Sequence, residues 1–176
     1  MHEPSYGLMQ RLRDDHFAEA VKVLDVGSRD VMGPGNPDQG SYRGLFGDGY
    51  VGLDIEHGKN VDVVIDPNET GRWKEIEASS FDAAICGQAL EHCDRPWHVV
   101  EQMARALKPK GVVAIIAPWV WEAHLVDYYR FSDNGLVALV ENAGLDVVKS
   151  GQNAWPTQFL SQVIVRVDAY AVGRKT

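Results

Sequence analysis

Short apolar runs recur along the chain, and most of them stop at a glycine, a proline or an acidic residue. Seven of these runs predict β-strands, because each is short and most are rich in branched side chains. The predicted strands are Lys22–Val26, Tyr50–Glu56, Val61–Ile65, Phe81–Gly87, Gly111–Ala117, Leu145–Ser150 and Val167–Gly173. The stretch Trp155–Val165 fits a helix as well as a strand.

Helical spacing of apolar residues appears between and before these strands. It predicts one helix over Tyr6–Ala20, one that Asp94 caps with Pro96 in its first turn, and one that Ser132 caps. The last of these ends at Gly144, where glycine suits a helix C-terminus.

Strands that alternate with helices predict a mostly parallel sheet with right-handed crossovers. We therefore expect an α/β fold of the Rossmann-like, doubly wound type with three αβα layers. Its sheet is mostly parallel and seven-stranded, with an antiparallel last strand. The chain is expected to form a single domain over residues 1–176. It divides into an N-terminal helix (1–20), a ligand-binding core (21–150) and a C-terminal strand region (151–176).

Composition narrows the choice of partners and compartment. The net charge of −8 disfavours nucleic acid as a partner, because long polyanions are repelled. No apolar run approaches the ~20 residues needed to cross a bilayer, and the N-terminus is too polar for a secretory signal. Two cysteines provide no disulfide framework, which favours a cytoplasmic location.

Polar residues follow several of the predicted strands at the point where each strand ends. Carboxyl ends of parallel strands meet at one edge of a sheet, and ligands bind there. The residues expected at this edge are Asp25, Gly27, Ser28, Asp54, Asp66 and Gln88. Gly27 lets the backbone approach a ligand closely, and Asp54 is placed where a carboxylate can hold both hydroxyls of a ribose. The position of Asp54 suits a nicotinamide dinucleotide as well as other adenosine cofactors.

Taken in order, these segments resemble a known family. The segments are VLDVGS, YVGLDI, FDAAICGQALEHC, EQMARALKPKG, VVAIIAP, DYYRFS and ENAGLDVV. They are similar to the motifs of class I S-adenosylmethionine-dependent methyltransferases, in the branch labelled methyltransferase type 11 domain. The resemblance extends from Lys22 to Val148, and the run Phe81–Pro118 is its most specific part because strand, turn, helix and KPxG turn occur in register.

The resemblance implies S-adenosyl-L-methionine as the cofactor. Asp25, Gly27 and Ser28 would line its methionine portion, and Asp54 would hold the ribose. Three further residues would contact the cofactor, with Ile55 packed on the adenine, Asp66 accepting from the adenine amino group and Gln88 contributing backbone near the sulfonium.

Two positions depart from the family pattern. Arg29 and Val31 stand where further glycines are usual, and a side chain there would crowd the cofactor unless the turn is wider.

The stretch after the fifth strand is where the resemblance places the methyl acceptor. Trp119 and Tyr128 are candidate walls of its pocket, and Arg130 could grip an anionic acceptor. His124 and His92 are candidate catalytic bases, which an acceptor hydroxyl would need. Packing of the aromatics at the sheet edge is equally open, and for His92 a structural role in the turn is the favoured alternative.

The expected function is therefore methyl transfer (EC 2.1.1.-) to an oxygen or nitrogen of a small molecule or glycan-like acceptor. The absence of a large cap favours an open pocket or one completed by a second copy of the chain in a homo-oligomer. No tetrahedral zinc set can be assembled from the sequence, so no metal is expected. Two alternatives remain, a catalytically silent binding module that has kept the fold and a nicotinamide-dependent oxidoreductase.

Overall fold

The computed structural model describes residues 3–31, 41–66, 71–123, 126–159 and 162–176. These residues form one sheet of seven strands. The strands are β1 (Val23–Val26), β2 (Tyr50–Asp54), β3 (Val63–Val64), β4 (Phe81–Gly87), β5 (Leu107–Val120), β6 (Asp146–Phe159) and β7 (Gln162–Arg174). Their order across the sheet is β3-β2-β1-β4-β5-β7-β6.

The first five strands are parallel, and β7 runs antiparallel between β5 and β6. In this register Asp25 lies beside Gly52 of β2 and Ile85 of β4. The carboxyl ends of these central strands therefore share one edge, as the sequence predicts. The mostly parallel, doubly wound sheet with its antiparallel last strand is confirmed.

Helices cover both faces of the sheet. They are α1 (Glu3–His16), α2 (Arg43–Phe46), α3 (Pro96–Ala106) and α4 (Asp133–Asn142). On one face α1 and α2 pack over a core that includes Leu8, Met9 and Tyr42. On the other face α3 and α4 bury residues such as Met103 and Leu136. Amphipathic helices on either side of an apolar sheet give the three expected layers.

Two helix ends differ from the sequence-based expectation. The first helix ends at His16 rather than at Ala20, because the chain turns there and the Ala20 amide donates to the Phe17 carbonyl. The residue before α3 is Arg95 rather than Asp94, and no side chain caps that helix. The Ser132 hydroxyl does cap α4, where it accepts from the Gly135 amide at 3.0 Å.

Strands β6 and β7 extend beyond the end of β5. The pairing of β5 with β7 stops at Val120 and Val167, whereas β6 and β7 remain paired out to Phe159 and Gln162. The ambiguous stretch Trp155–Val165 is therefore strand in the residues described. No helix in the described parts of the chain has the length and apolar character needed to cross a membrane.

Candidate functional site

A glycine turn at the end of β1 forms one side of the site. Gly27 has a φ of 82°, and the Gly27 and Ser28 amides both donate to the Leu53 carbonyl at 2.9 and 3.1 Å. A Cβ on Gly27 would lie 2.3 Å from the Cβ of Ala89. Only glycine fits both the backbone angle and this close approach. The turn is thereby held against the segment that follows β4.

Asp25 lies directly before this turn and is buried. The Tyr50 hydroxyl donates a hydrogen bond to its carboxylate. Burial raises the pKa of Asp25 to about 7, and the nearby charge of Asp54 adds to the rise. Asp25 therefore carries little or no charge in mildly acidic conditions, which the sequence did not reveal.

Asp54, at the end of β2, is bound by a residue that stands in one of the usual glycine positions. The Arg29 amide donates to Asp54 Oδ2 at 2.9 Å, and Arg29 Nε lies 3.7 Å from Oδ1. The same guanidinium pairs with Glu56 at 2.7 Å. Arg29 thus lies across the carboxylate expected to hold a ribose, whereas the Val31 side chain is 64% exposed.

The three acidic residues expected at this edge lie within electrostatic reach of common neighbours. Burial raises the pKa of Cys93 to about 12, and the charges of both Asp66 and Asp54 contribute to that rise. Asp54 also raises the pKa of Asp25. The exposed side chain of Ile55 follows Asp54 directly, which is an apolar surface available to a flat ring. Convergence of the three carboxylates on one ligand stays a prediction.

Gln88, directly after β4, joins a polar network that the sequence did not predict. Its backbone has a φ of 58°, and its side-chain amide donates to the Ser5 hydroxyl at 3.3 Å. Ser5 donates to Asp168 at 2.6 Å, and the Trp121 indole donates to the other Asp168 oxygen at 3.1 Å. Burial raises the pKa of Asp168. The available signal was a single acidic residue inside the apolar run of β7.

Glu91 lies in the short turn after β4, and its side chain is fully buried. Neither carboxyl oxygen has a hydrogen-bond partner, and the closest ion-pair contact is His92 Nε2 at 3.7 Å. Burial raises the pKa of Glu91 to about 8. The Tyr42 hydroxyl is also buried without a partner, in a position where any Cβ on Gly87 would be 2.2 Å away.

A cavity of about 220 Å³ follows β5, where the acceptor was expected. Its lining residues are Trp121, Ala123, Asp127, Tyr128, Tyr129 and Arg130. Tyr128 and Arg130 are thus brought together as predicted, whereas Trp119 is not part of this lining. Trp121 takes that place and also donates to Asp168, so the cavity adjoins the network around Gln88.

The Arg130 guanidinium is engaged by its own loop. It forms a bidentate pair with Asp127 at 2.6 and 2.5 Å and donates to the carbonyls of Tyr129 and Glu122. Its Nε also approaches the Trp121 carbonyl at 3.4 Å. In this arrangement Arg130 closes the loop, and a role in gripping an acceptor stays a prediction.

Of the two histidines expected as catalytic bases, His92 lies within the described residues. His92 Nδ1 donates to the Val126 carbonyl at 2.6 Å, so the ring links the turn after β4 to the segment that precedes Asp127 in the cavity lining. His124 lies outside the described residues. Among the described residues, no group of three or more His, Cys, Asp and Glu side chains is arranged to hold a metal ion.

Comparisons with known proteins agree with this architecture. A family model described as a methyltransferase domain matches residues 52–115. A search of curated proteins found no match. Among solved structures, the YcgJ protein from Bacillus subtilis is 14% identical, with a TM-score of 0.68 and 99% of each chain covered.

Two further structures are enzymes. One is 1,6-didemethyltoxoflavin-N1-methyltransferase from Burkholderia thailandensis, with bound 1,6-didemethyltoxoflavin and S-adenosylhomocysteine. It is 17% identical, with a TM-score of 0.69, and the match covers 98% of this chain and 78% of the enzyme. The other is an S-adenosylmethionine-dependent methyltransferase from Archaeoglobus fulgidus, 15% identical, with a TM-score of 0.68 and coverage of 97% and 94%.

The fold described above is the one that these solved methyltransferase structures have. Residues 52–115 also match the methyltransferase domain model, in keeping with the YVGLDI and ALEH motifs. The resemblance seen in the sequence is confirmed.

Proposed function

We propose that the protein transfers a methyl group from S-adenosyl-L-methionine to an oxygen or nitrogen of a small molecule or glycan-like acceptor. One observation supports this most strongly. Asp54 ends its strand directly beside the Gly27 turn, and the backbone of that turn is fixed on the Leu53 carbonyl. The bound S-adenosylhomocysteine in the Burkholderia enzyme supports the same cofactor for this chain.

The residues at this edge fit the cofactor. Asp54 would hold the ribose hydroxyls once Arg29 moves aside, and the exposed Ile55 offers an apolar surface for the adenine. The Gly27 turn with Asp25 and Ser28 would line the methionine portion, with Asp66 at the adenine amino group and the Gln88 backbone near the sulfur. The Ser28 hydroxyl is buried without a partner, which leaves one polar group here for a ligand to satisfy or a water to fill.

When bound, S-adenosylmethionine supplies a methyl group that is already activated by its positively charged sulfur. The protein then has to hold the acceptor in line with that methyl group, and positioning of this kind can lower a barrier by roughly 7–11 kcal/mol. Tyr128 and Arg130 line the cavity that would receive the acceptor. Trp119 lies near the end of β5, the strand that precedes this cavity in the chain. His92 and His124 are proposed as bases for an acceptor hydroxyl, which must lose a proton.

Isothermal titration with S-adenosylhomocysteine tests the cofactor assignment. Wild-type protein should bind it, and Asp54→Asn should weaken binding about ten-fold or more because charge-assisted hydrogen bonds to the ribose are lost. Glu141→Gln, an exposed carboxylate on α4, is the matched control and should bind like wild type. Equal affinity of Asp54→Asn and wild type would refute the ribose assignment.

A specific observation keeps a second function in view. Arg29 lies across Asp54, which is what a binding module that no longer uses the cofactor could tolerate. Binding of S-adenosylhomocysteine without turnover over a broad panel of alcohols and amines would favour that module. Tight binding of NADH with no binding of S-adenosylhomocysteine would favour an oxidoreductase instead.

The remaining proposals concern the cellular location, the domain organisation and the partners of the protein. We propose a cytoplasmic protein that forms a single domain and does not bind nucleic acid, in keeping with its net charge of −8. A homo-oligomer would be visible by analytical ultracentrifugation as a mass above that of the 19.5 kDa chain.

A further inference from the structure

The fold itself does not explain the buried carboxyl group of Glu91. Its carboxyl oxygens have no hydrogen-bond partner, and its residue is 0% exposed. Buried polar groups are nearly always paired, so an unpaired carboxyl in a native fold points to a missing ligand or water. The main-chain carbonyl of Glu91 accepts from the Tyr128 amide at 2.8 Å, which fixes Glu91 to the wall of the acceptor cavity.

The charges that face Glu91 are mostly negative. Asp127 and Asp168 both raise its pKa, whereas Arg130 lowers it. The Arg130 donors are already taken by Asp127 and by loop carbonyls. His92 is the other basic side chain beside Glu91, and its Nδ1 is bound to the Val126 carbonyl. A ligand group that satisfies Glu91 therefore has to bring its own hydrogen-bond donors.

A second unpaired group points to the same place. The Tyr42 hydroxyl is buried without a partner against Gly87, and it lies within electrostatic reach of Asp25, Asp168 and Glu91. Tyr42 lies directly before α2, so this unpaired hydroxyl belongs to a different part of the chain from Glu91. We call the group formed by Tyr42, Glu91 and Asp168 the acidic cluster.

The acidic cluster lies beside the cavity that Trp121 and Tyr128 line. Trp121 lines the cavity and donates to Asp168, and Tyr128 lines it and donates to the Glu91 carbonyl. Aromatic faces attract cations, and buried carboxyl groups bind them through charge-assisted hydrogen bonds. A carboxylate or phosphate would be repelled here, because the Arg130 donors are already taken and His92 Nδ1 is bound to the Val126 carbonyl.

We propose that the methyl acceptor is an amine with an apolar body, that Glu91 receives its ammonium group and takes its proton, and that Asp168 anchors it. This rests on the proposed methyltransferase function and specifies its substrate class. Ser5 and Trp121 hold Asp168 in place for this role.

The proton balance follows from the groups present. An ammonium nitrogen carries no lone pair, so one proton first passes from it to the Glu91 carboxylate. The nitrogen then forms a bond to the methyl carbon, and the bond from that carbon to sulfur breaks with its electron pair left on sulfur. The methylated amine leaves as an ammonium ion, and Glu91 keeps the transferred proton in place of the one it lost to water when the ammonium group bound, so one proton is released per turnover.

The first test uses the protein without cofactor and two matched probes, 2-phenylethylamine and 2-phenylethanol. They share a phenyl ring and chain length and differ in amine against hydroxyl. We expect the amine to bind about ten-fold or more tightly than the alcohol, because it forms charge-assisted hydrogen bonds. Titration at pH 7 in buffers of different ionisation enthalpy should show release of about one proton for the amine and none for the alcohol.

The reason for proton release is the protonation state of Glu91. Its pKa of about 8 leaves it mostly protonated at pH 7, and an ammonium ion bound beside it favours the charged form. The preference for the amine should grow as the pH rises from about 6 to about 8, where the amine itself remains charged like a lysine.

Variants make the assignment specific. Glu91→Gln should abolish both the amine preference and the proton release, and Asp168→Asn should reduce the preference while keeping proton release. Glu141→Gln is the control and should behave as wild type. Equal binding of the two probes, no binding of the amine, or a full amine preference in Glu91→Gln would each overturn the proposal.

These results are separable from the cofactor question. Loss of S-adenosylhomocysteine binding with an intact amine preference would remove the methyltransferase function and leave the amine site. Normal S-adenosylhomocysteine binding with no amine preference would leave the methyltransferase and overturn the acceptor class. The wild-type preference for the amine over the alcohol requires no substitution, so it decides the matter even if Glu91→Gln fails to fold.

Discussion

Arg29 occupies the hydrogen-bonding space of Asp54: its amide donates to one carboxylate oxygen at 2.9 Å, and its Nε lies 3.7 Å from the other. Its Nη1 reaches Glu56 at 2.7 Å, so the guanidinium links two acidic residues at the end of β2. A ligand that needs Asp54 has to compete with this side chain.

Arg29→Ala is therefore expected to strengthen binding of S-adenosylhomocysteine. Partly exposed ion pairs contribute up to about 1 kcal/mol, which corresponds to a gain of about five-fold at most. Isothermal titration measures this gain. The control is Arg174→Ala, which replaces an exposed arginine beside Val112, far from the carboxyl ends of the parallel strands. Weaker binding in Arg29→Ala would mean that Arg29 contacts the cofactor rather than competing with it.

Gly27→Ala should destabilise the fold by ~1–3 kcal/mol, because the new methyl group meets Ala89 and the backbone has a positive φ. Urea unfolding measures the free energy of unfolding. Gly44→Ala is a matched control, since a Cβ there meets no atom within 4 Å. Equal stabilities of the two variants would show that the turn at Gly27 is wider than described.

The buried acids predict a dependence of stability on pH. The native pKa values of Asp25, about 7, and Glu91, about 8, are above the unfolded values near 4, so the native state binds more protons between these limits. This stabilisation is complete below about pH 4 and is lost as the pH rises through about 8. The two groups together contribute on the order of a few kcal/mol to the free energy of unfolding at low pH.

Thermal unfolding from pH 5 to pH 9 checks this, with wild type and Glu91→Gln compared at each pH. Both should lose stability as the pH rises, and Glu91→Gln should lose less because one titrating group is removed. Parallel profiles for the two proteins would show that Glu91 is ionised in the native state at all of these pH values.

Arg130→Lys separates loop closure from acceptor binding. Lysine cannot form the bidentate pair with Asp127 or reach the same carbonyls, so the melting temperature should fall by a few degrees, for a loss of ~1–3 kcal/mol. Hydrogen exchange at the Tyr128 amide, which donates to Glu91, should accelerate. Unchanged stability and exchange would favour the acceptor-gripping role instead.

The fold class could be predicted from the sequence because the spacing of apolar residues indicates which side chains are buried. The run Phe81–Gly87 has the same bounds in the structure, and Asp54 and Gln88 lie at the predicted edge. The lengths of β6 and β7 were less predictable, because these two strands continue past the end of β5, where neither of their faces is fully buried. There the alternation that marks a half-buried strand is weak.

The acceptor side of the site could be predicted only in part. Tyr128 and Arg130 line the cavity, but Trp121 rather than Trp119 completes it, and the pairing of β5 with β7 is irregular at this point, between Pro118 and Val120. Ser5 and Asp168 are 163 positions apart in sequence, and their hydrogen bond depends on packing that no local pattern encodes. Side-chain networks of this kind follow from tertiary structure.

The place of β7 in the sheet has a consequence for synthesis. It follows β6 in the chain yet lies between β5 and β6, so a ribosome releases it after both of its neighbours. Until residues 162–174 emerge, the apolar strand β5 has an open edge, and the carboxyl group of Asp168 is missing from the interior. If Asp168 anchors the acceptor as proposed, the nascent protein gains that site only when this late strand inserts, and long-range pairing of this kind is slow.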